Sequence, residues 1–303
     1  MFLPVDNMGL ERFPVFQPVD ISQNALFARA FKEDPPLISE FTFTNIFSWR
    51  QAYKTSVSSL DGFIILRLGS SDRPSYFPPI GPGDPSMIME KVLRYEGDKF
   101  IRIPESVKEL LEKSGSRFTV APDRDNYDYL FRTSDLVSLA GHAYDGKRNL
   151  LRKFRASYEY EYVKLDASNV HDCLIFEEKW CSIKDCDGVK SLDDERRAIK
   201  EMVDNYERFS LIGGAIRVDG EIRAVAIAQR LNRDTMVLHV LKAEQSMTGL
   251  YQVMNNEFLS REAGQFRFVN MEQDLGVEGL RTSKLSYHPF KLINKYSVGI
   301  IGG

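Results

Sequence analysis

The stretch Leu211-Ile-Gly-Gly-Ala-Ile-Arg-Val-Asp-Gly220, continued by Glu221-Ile-Arg-Ala-Val-Ala-Ile-Ala-Gln-Arg230, reads as two β-strands closed by a tight turn. Asp219-Gly220 gives the turn away, because a two-residue hairpin turn needs positive φ, which these residues tolerate. A third strand, 235–242, follows the turn at Asn232-Arg233-Asp234. Strands joined by connections this short pair antiparallel.

Outward toward the C-terminus, Leu250, Met254 and Phe258 share one face of a helix over 248–262. A strand at 266–271, a short helix at 278–286 and a last strand at 290–298 follow. Toward the N-terminus, residues 158–165 alternate aromatic and charged side chains, the mark of a half-buried strand. A helix over 168–182 comes next. Ser191-Leu-Asp-Asp194 then reads as the start of a helix carrying Ala198, Ile199, Met202, Val203, Tyr206 and Phe209 on one face. The order is β-α-α-β-β-β-α-β-α-β.

The first half repeats this order without repeating the sequence. Helices are expected near 22–33 and 40–53, and strands at 55–60, 63–68 and 75–80, with a turn at Asp61-Gly62. A helix at 85–95, a strand at 99–103, a helix at 105–114 and a strand at 117–122 complete it. The expected division is 1–134 and 158–303, joined by a basic helix over 135–157 with Lys147, Arg148, Arg152, Lys153 and Arg155.

A length of 303 residues suits two domains. With 43% hydrophobic and 27% charged residues, the chain is neither disordered, collagen-like nor a disulfide-stapled miniprotein. A net charge of −3 gives no overall pull toward nucleic acid or anionic lipid, so any basic site is local. Met1-Phe-Leu-Pro-Val-Asp6 lacks the basic and apolar regions of a signal peptide, and no run approaches a membrane span. Cys173, Cys181 and Cys186 are odd in number and clustered, so three reduced thiols and a cytoplasmic location are expected. No cysteine–histidine spacing suggests a metal site.

Several motifs carry more. They are Gly141-x-x-Tyr144-x-x-Lys147-Arg148-Asn149, Glu178-x-Trp180-Cys181, and Gly249-Leu250-Tyr251-Gln252-x-x-Asn255. The longest is Asn270-x-Glu272-x-Asp274-Leu275-Gly276-x-x-Gly279-Leu280-Arg281-x-x-Lys284-x-Ser286-Tyr287-x-Pro289. Together they resemble the family of the C-terminal domain of phosphatidylglycerol lysyltransferases, over essentially the whole chain. The resemblance implies an α/β (α+β) fold of two tandem GNAT-like N-acyltransferase domains, each a mixed, mostly antiparallel sheet flanked by helices. It also implies transfer of an aminoacyl or acyl group to an amine or hydroxyl acceptor. In the lysyltransferases the donor is aminoacyl-tRNA and the acceptor a lipid headgroup; the Fem-type peptidoglycan enzymes offer a second acceptor model. No tightly bound cofactor is expected. The donor is aminoacyl-tRNA or acyl-CoA, with tRNA as a possible partner. An acetyl-CoA-dependent N-acetyltransferase and a non-catalytic binding protein of the same fold are the alternatives.

The residues themselves allow two readings at each place. Gln245-Ser-Met-Thr-Gly249-Leu-Tyr251 sits where an acetyl-CoA enzyme needs small residues for its pyrophosphate. Tyr251 fills one such place, so this is either an anion site or a plain helix start. Glu272 and Asp274 face one side if the chain is extended, and Arg281 and Lys284 share a helix face. The four make either a salt-bridged corner or a pair of cations for phosphate beside a carboxylate for an amine. Tyr144, Lys147, Arg148 and Asn149 make either a tRNA-phosphate patch or a solvated helix face. An amine nucleophile must lose a proton. Glu178 is the candidate base, with Glu177 fitting the same face, and His239 reads as a satisfied core histidine. No Ser-His-Asp or Cys-His set appears, so direct attack is expected.

Overall fold

The computed structural model describes residues 9–69, 73–96, 98–113, 118–184 and 186–300. Met1–Asp6 and residue 117 of the expected strand lie outside them.

In the first half the strands are β1 (Gln17–Pro18), β2 (Ser56–Leu60), β3 (Phe63–Leu68), β4 (Ser75–Tyr76), β5 (Lys99–Pro104) and β6 (Phe118–Pro122). The helices are α1 (Asn24–Glu33), α2 (Phe43–Ser48), α3 (Ser86–Tyr95) and α4 (Glu105–Lys113). β7 (Asp128–Arg132), α5 (Thr133–Ser138) and α6 (Asp145–Ser157) follow. Then come β8 (Glu161–Leu165), α7 (Asp172–Lys184), α8 (Lys190–Asp204), β9 (Ile212–Val218), β10 (Glu221–Arg230) and β11 (Thr235–Ala243). α9 (Leu250–Glu262), β12 (Phe268–Asn270), α10 (Glu278–Leu285), β13 (Lys291–Ile293) and β14 (Lys295–Ile300) end the chain.

Two seven-stranded sheets result among the described residues. One runs β1-β2-β3-β4-β5-β14-β6, the other β8-β9-β10-β11-β12-β7-β13. Each contains a parallel pair at the same place, β4 with β5 and β11 with β12. The sixth place of each sheet holds a strand from the other half of the sequence. The compact units are therefore Met1–Asp128 with Ile293–Gly303, and Tyr129–Leu292, not three consecutive segments.

This explains several departures from expectation. The basic segment 135–157 is not one linking helix. Leu139 turns left-handed at φ 46° and Gly141 follows at φ 86°, which separates α5 from α6. Both helices pack on α9 and belong to the second unit's core, with Leu136, Leu151 and Phe154 buried against Val253, Met254 and Phe258. The expected last strand is broken into β13 and β14, which enter different sheets. The helix begins at Lys190 with Val189 at its N-cap, two residues before Ser191, so Ser191 does not cap it.

The thiols also differ. Cys181 and Cys186 are disulfide-bonded, and only Cys173 is free and buried. The chain folds back after α7 into a single 3-10 turn, Cys186–Gly188, which brings the two Cα atoms to 5.0 Å, within bridging range. An odd cysteine count carries no information about such a turn.

The first unit's core is built on Phe63, Ile65, Tyr76, Met89, Val92, Phe100, Ile103 and Val298. It also holds Lys295, fully buried, whose Nζ donates to Glu40 and Asp128 at 2.6 Å each. Among the described residues no helix is long and apolar enough to cross a membrane.

Candidate active site

The parallel pair in the second sheet is short. Its last rung is Val237 with Asn270, yet β11 continues to Ala243. Beyond that rung the chain after β12 turns away. Glu272, Leu275 and Gly276 all take left-handed conformations, φ 56°, 54° and 73°. A cleft opens between the two strands.

At its mouth β11 carries a bulge. Ile227 pairs Val240 and Ala228 pairs Leu238, so His239 is the extra residue. A bulged residue is left out of the ladder and redirects what it carries. The His239 side chain has no exposure at all, whereas the residue as a whole is half-buried. What meets solvent there is main chain. The ring is held at both ends, with Nδ1 2.9 Å from Glu272 Oε1 and Nε2 3.1 Å from Gln229 Oε1. The expectation of a satisfied histidine fits this geometry. Gln229 went unnoticed in the sequence, because nothing along a strand marks which neighbour will face a bulge. The Glu272 side chain keeps 22% of its surface exposed, at the cleft.

Asp274 points elsewhere. It is fully buried and takes two parallel bonds from Arg281, Nε and Nη2 at 2.9 Å each. Tyr129 Oη donates to it at 2.5 Å, and the Gly276 amide at 2.9 Å. Glu272 and Asp274 thus do not act on one side, because the positive φ at Glu272 ends the extended chain. Arg281 is engaged as a fork by Asp274, the strong geometry for this pair. Lys284 Nζ donates to the main-chain carbonyls of Met271, at 2.7 Å, and Gln273. The corner reading therefore describes the Arg281 contacts, and Lys284 secures the same loop through carbonyl groups rather than a carboxylate. Gly279 is exposed, with open space around it.

The residues of α6 face this corner. Lys147 Nζ donates to Ser286 Oγ at 2.7 Å and lies 4.0 Å from the Tyr287 ring centre; burial holds its pKa below the usual lysine value. Tyr144 Oη donates to the Tyr287 carbonyl at 2.9 Å. Arg148 closes the end of α5 through Leu139 O and Gly141 O and pairs with Asp145. Asn149 is exposed. These cations hold loops, while the Arg148 side chain keeps 38% of its surface exposed.

Gly249 starts α9 at φ 92°, and a Cβ there would lie 2.4 Å from the Leu150 carbonyl oxygen. A main-chain carbonyl of α6 crowds this place, so the glycine is required by packing. Tyr251 and Gln252 follow, half-buried, and burial pushes the Tyr251 phenol up to about 12. Burial also raises Tyr287, while the adjacent Asn255 side chain opposes the rise. Tyr287 Oη and Asn255 Oδ1 have no well-formed hydrogen bond.

Glu178 is on the exposed side of α7. Its neighbour Glu177 is the buried carboxylate, 2.7 Å from Lys242 Nζ, and burial raises its pKa against the opposing pull of Lys242. Lys242 also reaches Glu195 at 2.8 Å and lies 3.9 Å from the Trp180 ring centre. Trp180 of Glu178-x-Trp180-Cys181 therefore packs on the buried Glu177–Lys242 pair, whereas Glu178 itself is exposed.

The sequence and fold have relatives. A family model for the C-terminal domain of phosphatidylglycerol lysyltransferase matches residues 35–299. A crystal structure of a conserved protein of unknown function from Bacteroides thetaiotaomicron is 30% identical, with a TM-score of 0.86 over 94% of this chain and 99% of that one. The structure of L-PGS from Bacillus licheniformis shares 13% identity and the fold, with a TM-score of 0.62 over 92% of each chain. An uncharacterized protein of Mycoplasmoides gallisepticum is 25% identical over 178 residues, 57% of this chain and 56% of that protein, so the match spans about half of that relative. The architecture is two units, each built on a seven-stranded sheet flanked by helices.

Proposed function

The chain belongs to the family of the phosphatidylglycerol lysyltransferase C-terminal domain, and from that premise we propose that it transfers an aminoacyl group from aminoacyl-tRNA to an amine or hydroxyl acceptor. One observation carries the reading: the main chain of the bulged His239 is open to solvent beside the partly exposed Glu272 carboxylate, where the sheet splits. The acceptor's lone pair attacks the acyl carbonyl. Glu272 takes the proton that the nucleophile loses, and His239, itself fixed by Gln229, holds that carboxylate in place. The main-chain N–H of His239 donates to the developing oxyanion, the kind of fixed donor that lowers such barriers most. The ribose oxygen then leaves with the proton, giving acylated acceptor and free tRNA.

An aminoacyl-tRNA donor is favoured over acyl-CoA because the Leu150 carbonyl presses on Gly249, where a pyrophosphate would need room and donors. Charged tRNAs and acyl-CoA donors, each labelled in the acyl group, are incubated with the protein and a panel of amines and alcohols. The expected result is label transfer from charged tRNA, lowered roughly 100- to 10,000-fold by Glu272→Gln, the usual contribution of a general base. No transfer from either donor class overturns the proposal.

A further inference from the structure

Each sheet ends in two edge strands, and an edge leaves every second N–H and C=O without a strand partner. In the second sheet the edges are β13, three residues long with Lys291, and β8, which carries Glu161 and Lys164. Asn169 Nδ2 also covers the Lys164 carbonyl at 3.1 Å. In the first sheet β1 has two residues and ends on Pro18. Short length, charge, proline and cover are the usual ways an edge is blunted. The remaining edge, β6, has five residues, Phe118-Thr-Val-Ala-Pro122, and no charge. Thr119, Ala121 and Pro122 are exposed, while Phe118 and Val120 are half-buried against the first unit's core.

The ladder fixes which groups of β6 point outward. Tyr296 pairs Pro122, and the Asp123 N–H donates to the Lys295 carbonyl at 2.9 Å, so Asp123 and Lys295 meet as a hydrogen-bonded pair. Such pairs alternate along an antiparallel ladder. Ala121 with Ser297 and Thr119 with Gly299 are therefore the next ones. The main-chain groups of Phe118, Val120 and Pro122 point away from β14, and among the described residues they have no partner.

We infer that this edge pairs with the same edge of a second copy of the chain, giving a dimer. A strand is complementary to its own copy about a twofold axis. With Val120 opposite its counterpart, each Val120 N–H donates to the other Val120 carbonyl, and each Phe118 N–H donates to the opposite Pro122 carbonyl. Both outward N–H groups of each strand are then used. Pro122 is met only as an acceptor, so its missing N–H leaves no gap. Thr119 lies opposite Ala121 on the exposed face, a small pair without the like charges that oppose self-pairing. A single strand pair makes a weak, reversible dimer. It stands apart from the proposed reaction, since β6 and the cleft belong to different units.

The test is sedimentation equilibrium of the full chain at low salt, across roughly 1–300 μM, a range that brackets a weak complex. The mass is expected to rise with concentration from one chain toward two. Thr119→Lys with Ala121→Lys sets like charges opposite each other at two places and weakens association about tenfold or more. Thr119→Lys with Ala121→Glu sets opposite charges at the same places and keeps association at or above the wild-type strength. Val120→Pro removes an outward N–H, leaves the β14 ladder intact and abolishes the dimer. Melting midpoints show that each variant folds, and the two double variants, both at exposed positions, carry the test if Val120→Pro misfolds. One chain at every concentration overturns the inference and leaves β6 to another protein or to solvent. So does a dimer that the two lysines leave intact, or one that both double variants weaken equally.

Discussion

Glu177 and Glu178 differ by 100° around α7, and that angle separates a buried ion from a solvated one. Glu177 must keep its contact with Lys242, because a buried charge without a partner is costly. Glu177→Ala is expected to lower stability by about 3 kcal/mol, the low end for breaking a buried pair, since Glu195 still faces the ammonium. Glu178→Ala should stay within about 0.5 kcal/mol. Urea unfolding of both variants decides it; equal losses would contradict the burial described here. The sequence presented the two as equivalent because α7 has apolar residues all round, so periodicity names no inner face. Asp274 shows the same limit. Its partner Arg281 was legible as a helix-face neighbour of Lys284, but the turn that buries Asp274 depends on φ values at Glu272 and Leu275 that neither side chain advertises.

At the scale of elements, local signals such as the hairpin turns at Asp61-Gly62 and Asp219-Gly220 set bounds well. β3, β10 and the helix over 278–285 lie within a residue of their expected bounds. β7 was missed because residues 128–132 are too short to show alternation, and they are buried on both faces except at Arg132. The contact between α6 and α9 makes a sharper prediction. Gly249→Ala must adopt a left-handed φ, costing roughly 1–2 kcal/mol. It must also push its methyl into the Leu150 carbonyl, adding about 1–3 kcal/mol of crowding. Gly220→Ala has a similar φ, 78°, and open space around it, so only the first cost applies. Thermal unfolding of the two variants should therefore rank Gly249→Ala as the more damaging. The reverse order would mean that α6 yields easily.

At the scale of the whole molecule, each sheet takes its sixth strand from the other half of the chain. β14 brings Lys295 into the first unit, beside Glu40 and Asp128. Lys295→Ala leaves two buried carboxylates without their shared cation and should cost about 3–5 kcal/mol near neutral pH. Burial, opposed by Lys295, already raises the Glu40 pKa. A raised carboxyl is protonated in the folded state at pH values where the unfolded chain is ionised, and the protonated form needs no cation. The loss is therefore largest above the raised pKa and shrinks as pH falls through it. Denaturation of wild type and variant from about pH 4 to pH 8 checks this; a loss that grew toward acid would refute the assignment. The sequence by itself determined the repeated element order, the hairpins at Asp61-Gly62 and Asp219-Gly220, and the family resemblance, because turn chemistry and hydrophobic period are local. Only the tertiary structure decided which strands exchange, that Cys181 meets Cys186, that Arg148 and Lys284 hold carbonyl groups, and that His239 bulges beside Glu272. Those outcomes depend on contacts between residues far apart in the chain, and spacing along it does not encode them.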